Sequence, residues 1–204
     1  MTDQIPTVDG SGNPHATLPP RERILATARE LFYRHGLHSV GVEGIAEAAG
    51  TNKMTLYRHF ASKDLLIAEC MRDIVADFEA GWKKVAAECA PDPMSQLMAW
   101  VDFSFDPKRK QTDRGCALAN AAVQLPDKNH PAKRVIENSK RRFREMTVQL
   151  CREAGLDDPE MMADELFLLC EGAQVSMESV GWQGPAARLP RMIQSLVERH
   201  SHPD

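Results

Sequence analysis

No apolar run in this sequence approaches the roughly 18 residues that a membrane-spanning helix needs, and the N-terminus is polar, without the apolar stretch of a signal peptide. The expected setting is therefore the cytosol, with no membrane partner. The five cysteines (Cys70, Cys89, Cys116, Cys151 and Cys170) are odd in number, scattered, and include no C-x-x-C pair. That spacing supports neither a disulfide framework nor a zinc site and reads as reduced thiols. There is no G-x-S-x-G, no phosphate-cradling glycine loop and no Ser/His/Asp arrangement in a fitting context, and the seven histidines show no ligand spacing such as H-E-x-x-H. An enzyme, a metal site and a cofactor are all unexpected. Excess positive charge is missing too: 25 Lys and Arg face 29 Asp and Glu, for a formal net charge of −4. Any contact with nucleic acid must then come from a local cluster of donors.

Strand-like alternation bounded by turn residues is also missing. What is present is helical code. After residues 1–18, a Gly-, Pro- and Thr-rich stretch that reads as a disordered tail, Ile24, Leu25, Ala28, Leu31 and Phe32 share one helical face that ends at Gly36. Short helices follow over about Val42–Ala49 and Lys53–Phe60. Ser62 is placed to cap a fourth helix, with Asp64 in its first turn, running to about Cys89. Further helices are predicted over Met94–Phe105, Cys116–Leu125, from Pro131 through Leu150, from Pro159 with Asp158 as cap, and from Ala186 to about Arg199. The fold class is all-α, with about nine helices.

The stretch TNKMTLYRHFASKDLL, residues 51–66, sets many hydrogen-bond donors on few apolar anchors. Two short helices joined at Gly50 make a helix-turn-helix, whose second helix enters the major groove. Ile45, Ala46, Ala49, Leu56 and Phe60 supply the face that locks the pair. Lys53, Thr55, Tyr57, His59 and Lys63 then point away from it, where Thr, Tyr and Lys reach phosphates and the first helical residues reach base edges. The segment RERILATARELFYRHGLHSVGVEGIAEAAGTNKMTLYRHFASKDLL resembles the DNA-binding domain of the TetR family of bacterial transcription regulators. The resemblance rests on A-x-x-L-F-x-x-x-G, I-A-x-x-A-G and T-L-Y-x-H-F-x-x-K-x-x-L, and more weakly on RGCALANAAVQLPDKNHPA in the second half.

The resemblance implies a helix-turn-helix domain over residues 19–67 and a ligand-binding and dimerisation domain over 68–204. It makes Lys53, Met54 and Thr55 base readers and Tyr57, His59 and Lys63 phosphate contacts. Gly41 stands where the family usually has a capping Ser or Thr that touches phosphate, so any contact there falls to backbone N–H. Gly44 replaces a larger polar residue. A homodimer on a palindromic DNA operator is implied, most often a repressor released by a small effector. Its two-fold seam is expected along Leu166, Leu169, Ala173, Val175 and Met177 with Met192, Ile193, Leu196 and Val197.

The aromatic share is only 6%, yet Phe78, Trp82, Trp100, Phe103 and Phe143 gather in the second half. Packing in the core is the default role for such rings. With Asn120 and Glu171 as polar groups they also make a candidate effector pocket, suited to a mostly apolar or aromatic molecule. KRKQTDR at 108–114 and the basic residues around Phe143 read as solvated charge, and His130 before Pro131 as a cap or loop residue. Two other functions fit the residues: a helical ligand-binding protein with a vestigial DNA domain, and an oxidant-sensing repressor using Cys116 close to Arg114.

Overall fold

The computed structural model describes residues 14–89, 91–105 and 114–201. The first 13 residues of the expected tail and all but Arg114 of the 108–114 charge run lie outside them. Pro14–Leu18, also expected in the tail, form a turn. Arg23 Nη1 donates to the Leu18 carbonyl at 3.1 Å and to that of Ala16 at 3.4 Å, tying this turn to the first helix.

Among the described residues every regular element is helical: α1 Pro20–His35, α2 Val42–Ala48, α3 Lys53–His59, α4 Lys63–Glu88, α5 Pro93–Phe105, α6 Ala117–Gln124, α7 Pro131–Glu153, α8 Pro159–Val180 and α9 Leu189–His200. The stop and start signals act as their chemistry requires. Ser62 Oγ accepts the Leu65 N–H at 3.1 Å, and Asp158 Oδ1 accepts that of Met161 at 3.2 Å. His130 is a cap as expected, its Nδ1 accepting the Ala132 N–H at 3.1 Å as α7 begins. The ninth helix starts later than the sequence predicts, because Pro185–Arg188 is a 3-10 turn. Pro190 has no N–H to give to the Ala186 carbonyl, so the α-helical ladder opens only at Leu189.

The described residues cluster into two compact units: those up to Ile74 with Ala117–Ile136, and Val75–Cys116 with those from Glu137 onward. The first unit packs α1, α2 and α3 on one another, around Ile24, Ala28, Ile45, Ala49, Leu56 and Leu66, all fully buried. Gln124 at the end of α6 belongs here. Its Oε1 accepts the Leu37 N–H at 2.7 Å and its carbonyl oxygen lies 2.6 Å from His38 Nε2, at the corner between α1 and α2.

The second unit packs α8 with α9 and the 3-10 turn, and α5 against α8. Here the expected dimer seam needs correction. Leu166, Ala173, Ile193 and Leu196 are buried within the protomer, and Leu169, Met177 and Val197 pack against that same core. Helical periodicity identifies an apolar face without saying which neighbour covers it, and α8 and α9 cover each other. The large apolar residues left exposed on these two helices are Met161, Leu168, Val175, Val180 and Met192.

Candidate nucleic-acid interface and effector site

The turn between α2 and α3 is built by hydrogen bonds that close the end of α2. Gly50, at φ 61°, gives its N–H to the Glu47 carbonyl, and Thr51 gives its N–H to that of Ala46, each at 2.9 Å. This six-to-one and five-to-two pairing needs a left-handed residue in its middle, which glycine adopts without a Cβ penalty. Arg23 Nε adds a 2.7 Å bond to the Ala49 carbonyl, leaving that end of α2 well satisfied. Asn52 opens α3 as its cap, Oδ1 accepting the Thr55 N–H at 2.9 Å. An Asn just before an apolar-periodic run is a start signal that sequence reading can find.

With Leu56 and Phe60 buried, the other side of α3 turns to solvent. Met54 is 85% and Tyr57 41% exposed, Lys53 and Arg58 are exposed, and Thr55 is half-buried. His59 is half-buried and its Nε2 is enclosed without a hydrogen-bond partner. Lys63 stands apart as the first residue of α4, with its Nζ 5.9 Å from the centre of the Phe32 ring. Burial holds its amine below the usual lysine range, with Asp64 pulling the other way. Gly41 is exposed at the start of α2, where a Cβ would meet nothing within 4 Å, so the missing hydroxyl is not a steric requirement. Sequence reasoning overlooked Glu43 in the first turn of α2, whose Oε1 lies 2.7 Å from Lys53 Nζ.

In the second unit the five aromatic residues do assemble. Phe78 lies 5.5, 4.9 and 4.7 Å from Trp100, Phe103 and Phe143, and Trp82 lies 5.0 Å from Trp100, between ring centres. Trp100 Nε1 donates to Thr147 Oγ1 at 2.8 Å, giving the indole the partner that a buried N–H requires. Trp100 and Phe103 are buried, while Phe78, Trp82 and Phe143 keep part of their surface.

Glu171 is paired with Lys140, and the Lys140 ammonium also lies 3.8 Å from Cys116 Sγ and 5.3 Å from the centre of the Phe167 ring. Burial acts to lower the pKa of Lys140, but Cys116 and Glu171 outweigh it and hold the ammonium above the usual lysine range. Asn120 belongs to the first unit, where its carbonyl accepts from Gln124 Nε2 at 3.0 Å. A further feature went unread in the sequence. Gln174 Oε1 and the hydroxyls of Ser104, Ser139 and Ser176 are enclosed in the second unit without a hydrogen-bond partner. Cys70 and Cys151 are ordinary buried thiols, pushed up by burial to about 12 and about 11.

Residues 24–70 match the family model for bacterial regulatory proteins of the tetR family. The transcriptional repressor KstR2 of Mycolicibacterium smegmatis is 26% identical over 196 residues, covering 89% of this chain and 94% of its own. The transcriptional regulator UidR of Escherichia coli is 45% identical over 49 residues, 24% of this chain and 25% of its own. Among solved structures, the TetR-family regulator SCO4454 of Streptomyces coelicolor superimposes with a TM-score of 0.83 at 27% identity, covering 90% of this chain and 96% of that one. The helix-turn-helix with its outward polar face, the all-helical fold and these likenesses agree: the chain belongs to the TetR family of DNA-binding transcriptional regulators.

Proposed function

We propose that the protein is a cytoplasmic, homodimeric repressor that grips a palindromic operator with the outer face of α3 and releases it when a small, mostly apolar effector binds the second unit. The observation that carries the DNA contact is the division of α3. Leu56 is fully buried, whereas Met54 and Tyr57 are 85% and 41% exposed, so the helix has one face for the fold and one for a partner. On this reading Lys53, Met54 and Thr55 read bases. Tyr57, His59, Lys63 and the backbone at Gly41 hold phosphates, which fix register without carrying sequence. Two copies present their α3 helices to half-sites about 34–36 Å apart when one turn separates them. Leu168 and Val175 on α8, with Met192 on α9, form the apolar surface that a second copy would cover. Among the described residues no helix is long and apolar enough to cross a membrane, in keeping with a protein that reaches DNA.

Effector binding is assigned to Phe78, Trp82, Trp100, Phe103 and Phe143 with Glu171. The half-buried Phe78, Trp82 and Phe143 rings offer an apolar wall to such a molecule, and the paired Glu171 and Lys140 offer it polar groups. An effector need only bind the DNA-incompetent state better. A tenfold preference is about 1.4 kcal/mol per site. The name of KstR2 supports repression as the direction of control. The test is release of a labelled operator, selected from genomic fragments, by a panel of hydrophobic compounds. Active compounds should release the wild type at lower concentrations than Glu171→Ala, with operator affinity alike without compound. Equal release of both proteins removes Glu171 from the site, and release by none of the compounds counts against an apolar effector.

A further inference from the structure

The ion pair between Glu43 and Lys53 joins the first turn of α2 to the first residue of α3, on the face assigned to DNA. Side-chain exposure is 74% for Glu43 and 51% for Lys53, so the pair adds little to stability. A carboxylate here also repels phosphate, in a chain whose net charge is already −4. Its presence therefore calls for a role other than holding the fold or raising affinity.

We propose that Glu43 is a specificity-determining residue that acts together with Lys53 to read one G·C base pair in each half-site. The major-groove edge of a G·C pair shows the guanine N7 and O6 acceptors beside the cytosine N4 donor. A lysine ammonium held at 2.7 Å from a carboxylate presents the complementary order, a donor beside an acceptor. Lys53 gives a hydrogen bond to guanine and Glu43 accepts one from cytosine. On any other duplex surface Glu43 keeps the ammonium occupied, so Lys53 is withheld from phosphates and non-specific binding is weakened. The carboxylate thus widens the gap between the right site and the wrong ones by an unfavourable term against the wrong ones.

This rests on the assignment of α3 to DNA, and the experiment separates the two. The full-length wild type, Glu43→Gln, Glu43→Ala and Lys53→Ala are each used to select sites from a randomised duplex pool. Each is then titrated onto a fixed duplex lacking the selected site, across a range of salt. The wild type should select a site with a fixed G·C pair in each half. Both Glu43 variants should lose that preference, about tenfold in relative enrichment, and keep the others. On the fixed duplex they should bind more tightly, with a slope of log K against log salt steeper by about 0.9, one phosphate's worth. Lys53→Ala should lose the same base preference without the steeper slope. If the Glu43 variants select the wild-type site unchanged and keep its salt slope, the inference is overturned while the DNA face stands. If the wild type itself selects no sequence, both fall.

Discussion

Replacing Gln124 with Ala tests how the end of α6 holds the corner between α1 and α2. The Gln124 side chain accepts the Leu37 N–H at 2.7 Å and donates to the Asn120 carbonyl at 3.0 Å. Leu37 is 3% exposed, so removal of the amide leaves its N–H facing space that water enters poorly. Stranding a buried donor costs about 1–3 kcal/mol. Gln124 is itself half-buried, which lets some water in and points to the lower half of that range. Gln124→Glu keeps an acceptor and loses the donor, so it should retain most of the Leu37 bond. The direct assay is amide hydrogen exchange at Leu37, read beside urea denaturation of the wild type and both variants. Gln124→Ala should speed exchange at Leu37 by roughly tenfold for each 1.4 kcal/mol lost, with Gln124→Glu close to wild type. Unchanged Leu37 exchange in Gln124→Ala would show that the bond does not hold the corner.

Thr147→Val removes the acceptor of the Trp100 indole N–H, 2.8 Å away, and should cost about 1–3 kcal/mol in urea denaturation. Leu196→Glu places a carboxylate at a position 1% exposed within the protomer and should unfold the second unit by circular dichroism. Leu168→Glu, at a position 68% exposed, should leave the protomer folded and yield monomers by light scattering. Gly41→Ser meets open space and supplies a side-chain cap to α2, so it should raise stability by a few tenths of a kcal/mol, seen as a higher urea midpoint.

Much of the fold is legible in the sequence because the helix boundaries are written in local chemistry. Ser62, Asp158 and Gly50 act through hydrogen bonds to backbone groups at most four residues away, which a linear reading can follow. The start of the ninth helix is less legible because Pro190 shifts the first possible ladder bond without ending the apolar pattern. Partnership between helices is harder still. The apolar face of α8 and α9 is plain in the sequence, but whether Leu196 meets its own chain or a second copy depends on tertiary packing. The same holds for polar groups: Glu171 reads as a carboxylate in need of a partner, and only the packing of α7 on α8 supplies Lys140. Glu43 and Lys53, ten positions apart on different helices, meet through the geometry of the turn, which no periodicity encodes.

The central claim, that the outer face of α3 with Lys63 grips DNA, is tested most directly by the salt dependence of binding to a selected operator. Wild type, Lys63→Ala and Thr55→Ala are titrated onto that duplex and onto variants carrying single base changes. Lys63→Ala should weaken binding to every duplex alike and flatten the slope of log K against log salt by about 0.9, the loss of one phosphate contact. Thr55→Ala should keep the slope and change the order in which the base variants bind. Wild-type slope and affinity in Lys63→Ala, together with an unchanged order in Thr55→Ala, would contradict the account.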